Sequence, residues 1–242
     1  MNEIPENIVK LRGRGTYMSR SIEIELKFEV LDSNEVNSFV KSLKVVEQKR
    51  IVYLDTKGAD LFKRGIFVRV RNGKKFDVKF NQEDIGKSLD DSIEHTHCDE
   101  VSIPLPFTQS SMAIANETLE ILGLAPMNAP AIRDLMRRNS LVESMVIDKD
   151  RVTYQDGEFH IDVDIVKDLG EYLEIEKMTD ENTDRNKVLQ KMRERLHGLK
   201  LRHVDVGYNE LYWRKNNFDL YLQGKYLLVE DREKYRKQSL PA

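Results

Sequence analysis

The sequence predicts an α+β protein built on an eight-stranded antiparallel closed β-barrel with flanking helices. Three observations carry that prediction: strict two-residue alternation in several short segments, hairpin-length connections between them, and helical periodicity confined to separate stretches. A doubly wound parallel sheet would instead require strands and helices in regular succession.

The first strand is the clearest. From residue 22 to 30, Ile, Leu, Phe and Val at even positions alternate with Glu and Lys at odd ones. Asp32-Ser33 then caps a short helix whose apolar positions Val36, Phe39, Val40 and Leu43 recur at helical spacing. A strand over 50–55 follows. Leu61 to Gly65 reads as one helical turn closed by glycine, which delivers the chain to a strand over 66–71. Asn72-Gly73 is a hairpin signal, and the return strand covers 75–80.

Strand character returns over 95–103 and ends at Pro104 and Pro106. Helical spacing then marks an inserted helical hairpin at 104–138. Two or three strands are expected over 142–149, 151–154 and 159–166 and another over 171–178, and a long helix over 183–199 carries Val188, Leu189, Met192, Leu196 and Leu199 on one face. The domain plan is therefore a flexible tail at 1–19, one domain over 20–213 containing the helical insert, and a Tyr-rich extension at 214–242.

Composition narrows the function classes. Lys and Arg number 39 against 42 Asp and Glu, for a net charge of -3, so no overall field attracts nucleic acid or an anionic membrane. The single Cys98 excludes a disulfide framework and a Cys-rich zinc site. No apolar run reaches the roughly 20 residues of a membrane span, and the first 20 residues lack a secretory apolar stretch, so a cytoplasmic location is expected. Walker A, Gly-x-Gly-x-x-Gly and His-Glu-x-x-His sequences are all missing. His95-x-His97 beside Cys98 could suggest a transition-metal site, but two histidines on a strand are more often polar surface.

The charges need their own explanation. Glu23 and Glu25, Arg69 and Arg71, Asp162 and Asp164, and Glu174 and Glu176 are like-charged pairs spaced i and i+2, so each pair shares one face of its strand. A solvated face would normally mix signs. Repeated same-sign pairs point to a common site in which carboxylates hold cations and basic residues hold an anion. Glu23, Glu25, Asp164, Glu174 and Glu176 against Lys27, Arg69, Arg71, Lys79, Lys149 and Arg151 leave a small formal excess of positive charge. Two divalent cations and a triphosphate of about five negative charges would bring it near zero. Oxygen-only ligands select hard ions.

The ordered set of motifs resembles the CYTH-domain proteins, the triphosphate tunnel metalloenzymes. It consists of Glu23-Ile24-Glu25-Leu26-Lys27, Tyr53-Leu54-Asp55-Thr56, Leu61 through Gly65-Ile66, Val68-Arg69-Val70-Arg71, Asp77-Val78-Lys79, Lys149-Asp150-Arg151, Asp164, and Leu169 through Glu176. Gly207-Tyr208-Asn209-Glu210-Leu211 is similar to the family's closing Ser-Tyr-x-Glu-Leu, with glycine in place of serine.

The resemblance implies a barrel whose interior is a charged tunnel. It implies that Glu23, Glu25, Asp164, Glu174 and Glu176 bind two Mg²⁺ or Mn²⁺ ions, and that Lys27, Arg69, Arg71, Lys79, Lys149 and Arg151 grip phosphate. Glu25 and Glu176 would support an activated water, and Lys27 could help deprotonate it. The expected partner is a small triphosphate, with no nucleic acid or membrane, in a monomer or homodimer. Hydrolysis of inorganic tripolyphosphate comes first, with thiamine or nucleoside triphosphate possible. A class IV adenylyl cyclase uses the same groups, and a non-catalytic polyphosphate- or nucleotide-binding module is the third reading.

Overall fold

A computed structural model describes residues 22–41, 43–45, 49–82, 97–180 and 182–236. The expected tail at 1–19 and residue His95 lie outside these residues, as do the side chains of His97 and Cys98. The strands are β1 (Ile22–Val30), β2 (Lys44–Val45), β3 (Lys49–Thr56), β4 (Phe67–Arg71), β5 (Lys75–Phe80), β6 (His97–Pro104), β7 (Leu141–Asp156), β8 (Phe159–Val166), β9 (Gly170–Thr179) and β10 (Leu201–Val204). The helices are α1 (Ser33–Val40), α2 (Asp60–Lys63), α3 (Gln109–Ile121), α4 (Ile132–Arg138), α5 (Arg185–Arg195), α6 (Tyr208–Asn216), α7 (Phe218–Tyr221) and α8 (Val229–Asp231), followed by a π-helical turn, Arg232–Arg236.

All pairings are antiparallel, in the order β10-β1-β6-β5-β4-β3-β7-β8-β9, and β2 adds to β7. β1 also pairs along β9, so it has partners on both sides: Glu23 and Ile24 lie opposite Cys98 and His97 of β6, while Ile22 to Glu29 run against Thr179 to Tyr172. The antiparallel α+β class is as predicted. Two short strands, β2 and β10, add to the eight expected.

Local chemistry explains the boundaries. The Asp32 carboxylate accepts from the backbone N–H groups of Asn34 and Glu35 at 3.1 and 3.4 Å and starts α1. Asp55 accepts from the N–H groups of Thr56, Leu61 and Phe62 at 2.7, 2.9 and 2.9 Å, which ties the end of β3 to α2. Asn72 and Gly73 both have positive φ, 54° and 65°, as a tight hairpin with right-handed strand twist requires.

Helices cover one face of the sheet in two places. Val68, Phe76, Val78, Val101 and Ile103 pack under Ala115, Leu119 and Leu135 of the insert. Ile24, Leu26, Ile161, Leu173 and Ile175 pack under α1 and α5. The opposite face carries the charges. That face turns apolar at Ile51, Tyr53, Phe67, Met145 and Ile147, where Tyr208, Tyr226 and Leu228 of the C-terminal segment pack against it. The 214–236 stretch is therefore packed, as short helical pieces joined by a non-helical segment at 222–228. Tyr221 and Leu227 are buried in it, and Gly65 (φ 70°) lies so close that a Cβ would come 2.8 Å from the Tyr226 ring.

Two expected elements differ. The strands predicted at 142–149 and 151–154 are one continuous β7, because Asp150 pairs opposite Ile165 without interruption. The helix predicted over 183–199 ends at Arg195, and Leu196 to Leu199 turn the chain into β10. Among the described residues, no helix is long and apolar enough to cross a membrane.

Candidate active site

Strand register gathers all eleven predicted site residues on the charged face. Glu25 lies opposite Glu176 and Lys27 opposite Glu174 across β1 and β9, and Arg151 lies opposite Asp164 across β7 and β8. They form three connected groups.

The first is a seat of cations. Arg69 and Arg71 on β4 approach Oε1 of Glu100 at 3.3 and 3.4 Å, and Lys79 on β5 approaches its Oε2 at 3.1 Å. Burial works against the Glu100 charge, but Lys79, Arg69 and Arg71 outweigh it and hold the carboxyl well below the usual range. Burial likewise opposes the charges on Arg69 and Lys79, yet Glu100 and its neighbours keep both well above their ordinary values. Three basic groups thus converge on one carboxylate, in an arrangement that suits a tetrahedral oxyanion.

The second is a seat of carboxylates. One ligand oxygen from each of Glu23, Glu25 and Glu176 lies within 4.8 Å of the others. Burial, then the like charges of Glu23 and Asp162, push the Glu176 carboxyl up to about 9, so it keeps its proton at neutral pH. Three hard oxygens that cannot all ionise alone fit a hard divalent cation. Lys79 links this seat to the first, its Nζ being 3.2 Å from Glu23 Oε2.

The third group is self-neutralised. Arg151 donates to Asp164 through Nε at 2.6 Å and through Nη2 at 2.5 Å, and it also pairs with Asp162 and Glu174. Asp164 further accepts from Lys149 at 2.7 Å and from the Tyr208 hydroxyl at 2.6 Å. Burial and then the Arg151 charge bring the Lys149 ammonium down to about 8. Lys27 joins this group to the second, standing 3.1 Å from both Glu25 and Glu174. Burial opposes its charge, but those carboxylates hold it well above the ordinary lysine range.

Asp164 and Glu174, expected with the metal ligands, therefore lie with Arg151, Lys149 and Lys27 rather than in the carboxylate cluster. Asp77, Glu100, Ser102, Tyr208 and His160 were not among the predicted site residues. Asp77 shares a face with Lys79 by simple alternation, and that signal was readable. His160, with Nδ1 3.4 Å from Glu176 Oε1, was not marked by any motif. Asp77, Glu100 and Asp162 also upset the charge balance drawn from the sequence, because the cations already have internal partners.

The CYTH domain family matches residues 21–207. Among curated proteins, none matches the sequence. Solved structures share the fold. A protein of Pyrococcus horikoshii is 20% identical with a TM-score of 0.50, covering 80% of this chain and 99% of its own. A candidate adenylate cyclase of Vibrio parahaemolyticus is 20% identical with a TM-score of 0.50, covering 79% and 97%. A Hippeastrum protein described as having a dominant triphosphatase activity is 16% identical with a TM-score of 0.51, covering 86% and 97%.

Proposed function

Because the chain belongs to the CYTH-domain family, we propose that it is a metal-dependent triphosphatase that cleaves inorganic tripolyphosphate on the charged face of its sheet. The observation that carries this reading is the junction of two seats. Arg69, Arg71 and Lys79 converge on Glu100, and Lys79 also reaches Glu23 of the Glu23, Glu25 and Glu176 cluster. An anion seat touching a cation seat suits a phosphate chain bound together with a divalent ion. The side chains of the two seats are cationic or carboxylate, suited to phosphate oxygens and to a metal ion, which favours a substrate read through its phosphates. The two-sided pairing of β1 supports a closed eight-stranded tunnel around that substrate.

In this reading Glu23, Glu25 and Glu176 hold Mg²⁺ or Mn²⁺. A bound ion supplies neutralisation of phosphate charge and a more acidic water. Arg69 and Arg71 take phosphate oxygens in place of Glu100, and Lys79 spans phosphate and carboxylate. Lys27 serves as a proton-bearing phosphate donor rather than a base, given the two carboxylates that stabilise its charge. Asp164 and Glu174 hold Lys149 and Arg151 in place.

Incubation with Mg²⁺ or Mn²⁺ and, separately, tripolyphosphate, thiamine triphosphate and ATP tests the reading. Release of orthophosphate, fastest from tripolyphosphate, is expected. Cyclic AMP with pyrophosphate from ATP would identify a cyclase, and binding without turnover would identify a non-catalytic module.

A further inference from the structure

We propose that Asp77 is a positioning residue that fixes the guanidinium groups of Arg69 and Arg71 for a bound phosphate. The inference rests on the anion seat described above and assigns it a foundation. Asp77 has no exposed surface. Its Oδ1 accepts from Arg71 Nη2 at 2.8 Å and from the Ser102 hydroxyl at 2.6 Å, and its Oδ2 lies 3.4 Å from Arg69 Nε. Ser102 Oγ also accepts from Arg71 at 3.3 Å. The ladder explains this convergence, since Asp77 lies directly opposite Arg69 on β4 and directly opposite Ser102 on β6.

Two carboxylates thus serve the same pair of arginines in different ways. The Glu100 side chain is 21% exposed and contacts Arg69, Arg71 and Lys79 from the solvent-accessible side, where an arriving anion can replace it. Asp77 is sealed and tethered by a hydroxyl, so displacing it would strand a buried charge. Two long arginine side chains held in place before binding lose less rotamer freedom when the anion arrives, and their fork geometry is kept for bidentate contact.

The sign of one substitution separates positioning from mere proximity. A nearby carboxylate that does not position the arginines repels the anion, so removing its charge would tighten binding. Positioning demands the opposite. Tripolyphosphate affinity is measured by calorimetry in EDTA, which excludes metal-dependent turnover, with thermal melting to confirm folding. Asp77→Asn is expected to weaken binding about tenfold, and Ser102→Ala about threefold, as expected for loss of hydrogen bonds to charged or buried groups. In an Arg71→Ala background, Asp77→Asn should cost much less, since its principal partner is gone.

Equal or tighter binding by folded Asp77→Asn would overturn the proposal, as would full additivity with Arg71→Ala. Should Asp77→Asn not fold, unchanged affinity in Ser102→Ala overturns it instead. Wild-type protein that binds no tripolyphosphate in EDTA would remove the metal-free anion seat and this proposal with it, whereas the functional reading falls only if phosphate release with Mg²⁺ or Mn²⁺ is also absent. Wild-type binding with indifferent variants removes the Asp77 assignment alone.

Discussion

The carboxylates of Glu23, Glu25 and Glu176 and those of Asp162, Asp164 and Glu174 occupy the same sheet face, on β1, β8 and β9, yet their electrostatic situations are opposite. The second set surrounds Arg151, with Lys149 and Lys27 at its edges, and its charges are neutralised inside the protein. In the first set, burial and then the like charges of Glu23 and Asp162 push the Glu176 carboxyl up to about 9. Residue type does not distinguish them. The distinction is the supply of internal cations: one group is complete, and the other has a deficit that a divalent ion from solution would fill.

The largest effect should come from breaking the completed group. Arg151→Ala leaves three buried carboxylates without their shared partner and is expected to cost about 3–5 kcal/mol, read by urea denaturation. A loss below about 1 kcal/mol would mean that the group is not internally neutralised. The same logic predicts that Glu176→Gln costs the metal-free fold little, because the native side chain is already uncharged. It should nevertheless weaken Mn²⁺ binding and slow phosphate release by about a hundredfold. Unchanged metal affinity would show that the cluster is not the metal seat.

The same contrast shows through pH. Glu176 has a folded pKa of about 9, above its ordinary 4.5, so its contribution to stability is complete below the lower value and is lost as pH rises toward the upper one. Metal-free protein should therefore lose stability across that window, and Glu176→Gln should flatten the slope. Metal uptake at pH 7 should release roughly one proton, detected by calorimetry in buffers of different ionisation enthalpy. Zero release would place the ion elsewhere.

The sequence made this face legible but not its pairing. Two-residue alternation identifies β1, β4, β5, β8 and β9 and puts Glu23, Glu25, Arg69, Arg71, Glu174 and Glu176 on shared faces, because side-chain direction in a strand is a purely local property. Which carboxylate meets which cation depends on register between strands, as with Arg151 opposite Asp164, and no single segment encodes that. The run Asp148-Lys149-Asp150-Arg151 lacks apolar alternation and so reads as a break, although Lys149 and Arg151 turn to the buried face. Leu196 and Leu199 extend the helical spacing beyond α5 because they still pack on the same core after the helix has ended. β2 and β10 are too short for any period to register.

The seating of Tyr226 against Gly65, with Gly224 pressed on Phe62, sets a schedule for biosynthesis. The early turn after β3 cannot acquire its cover until Gly224 and Tyr226 have left the ribosome, and β1 likewise waits for β9 about 150 residues downstream. A nascent chain halted just before these late arrivals would present uncovered aromatic surface and an unsealed strand edge to chaperones and proteases.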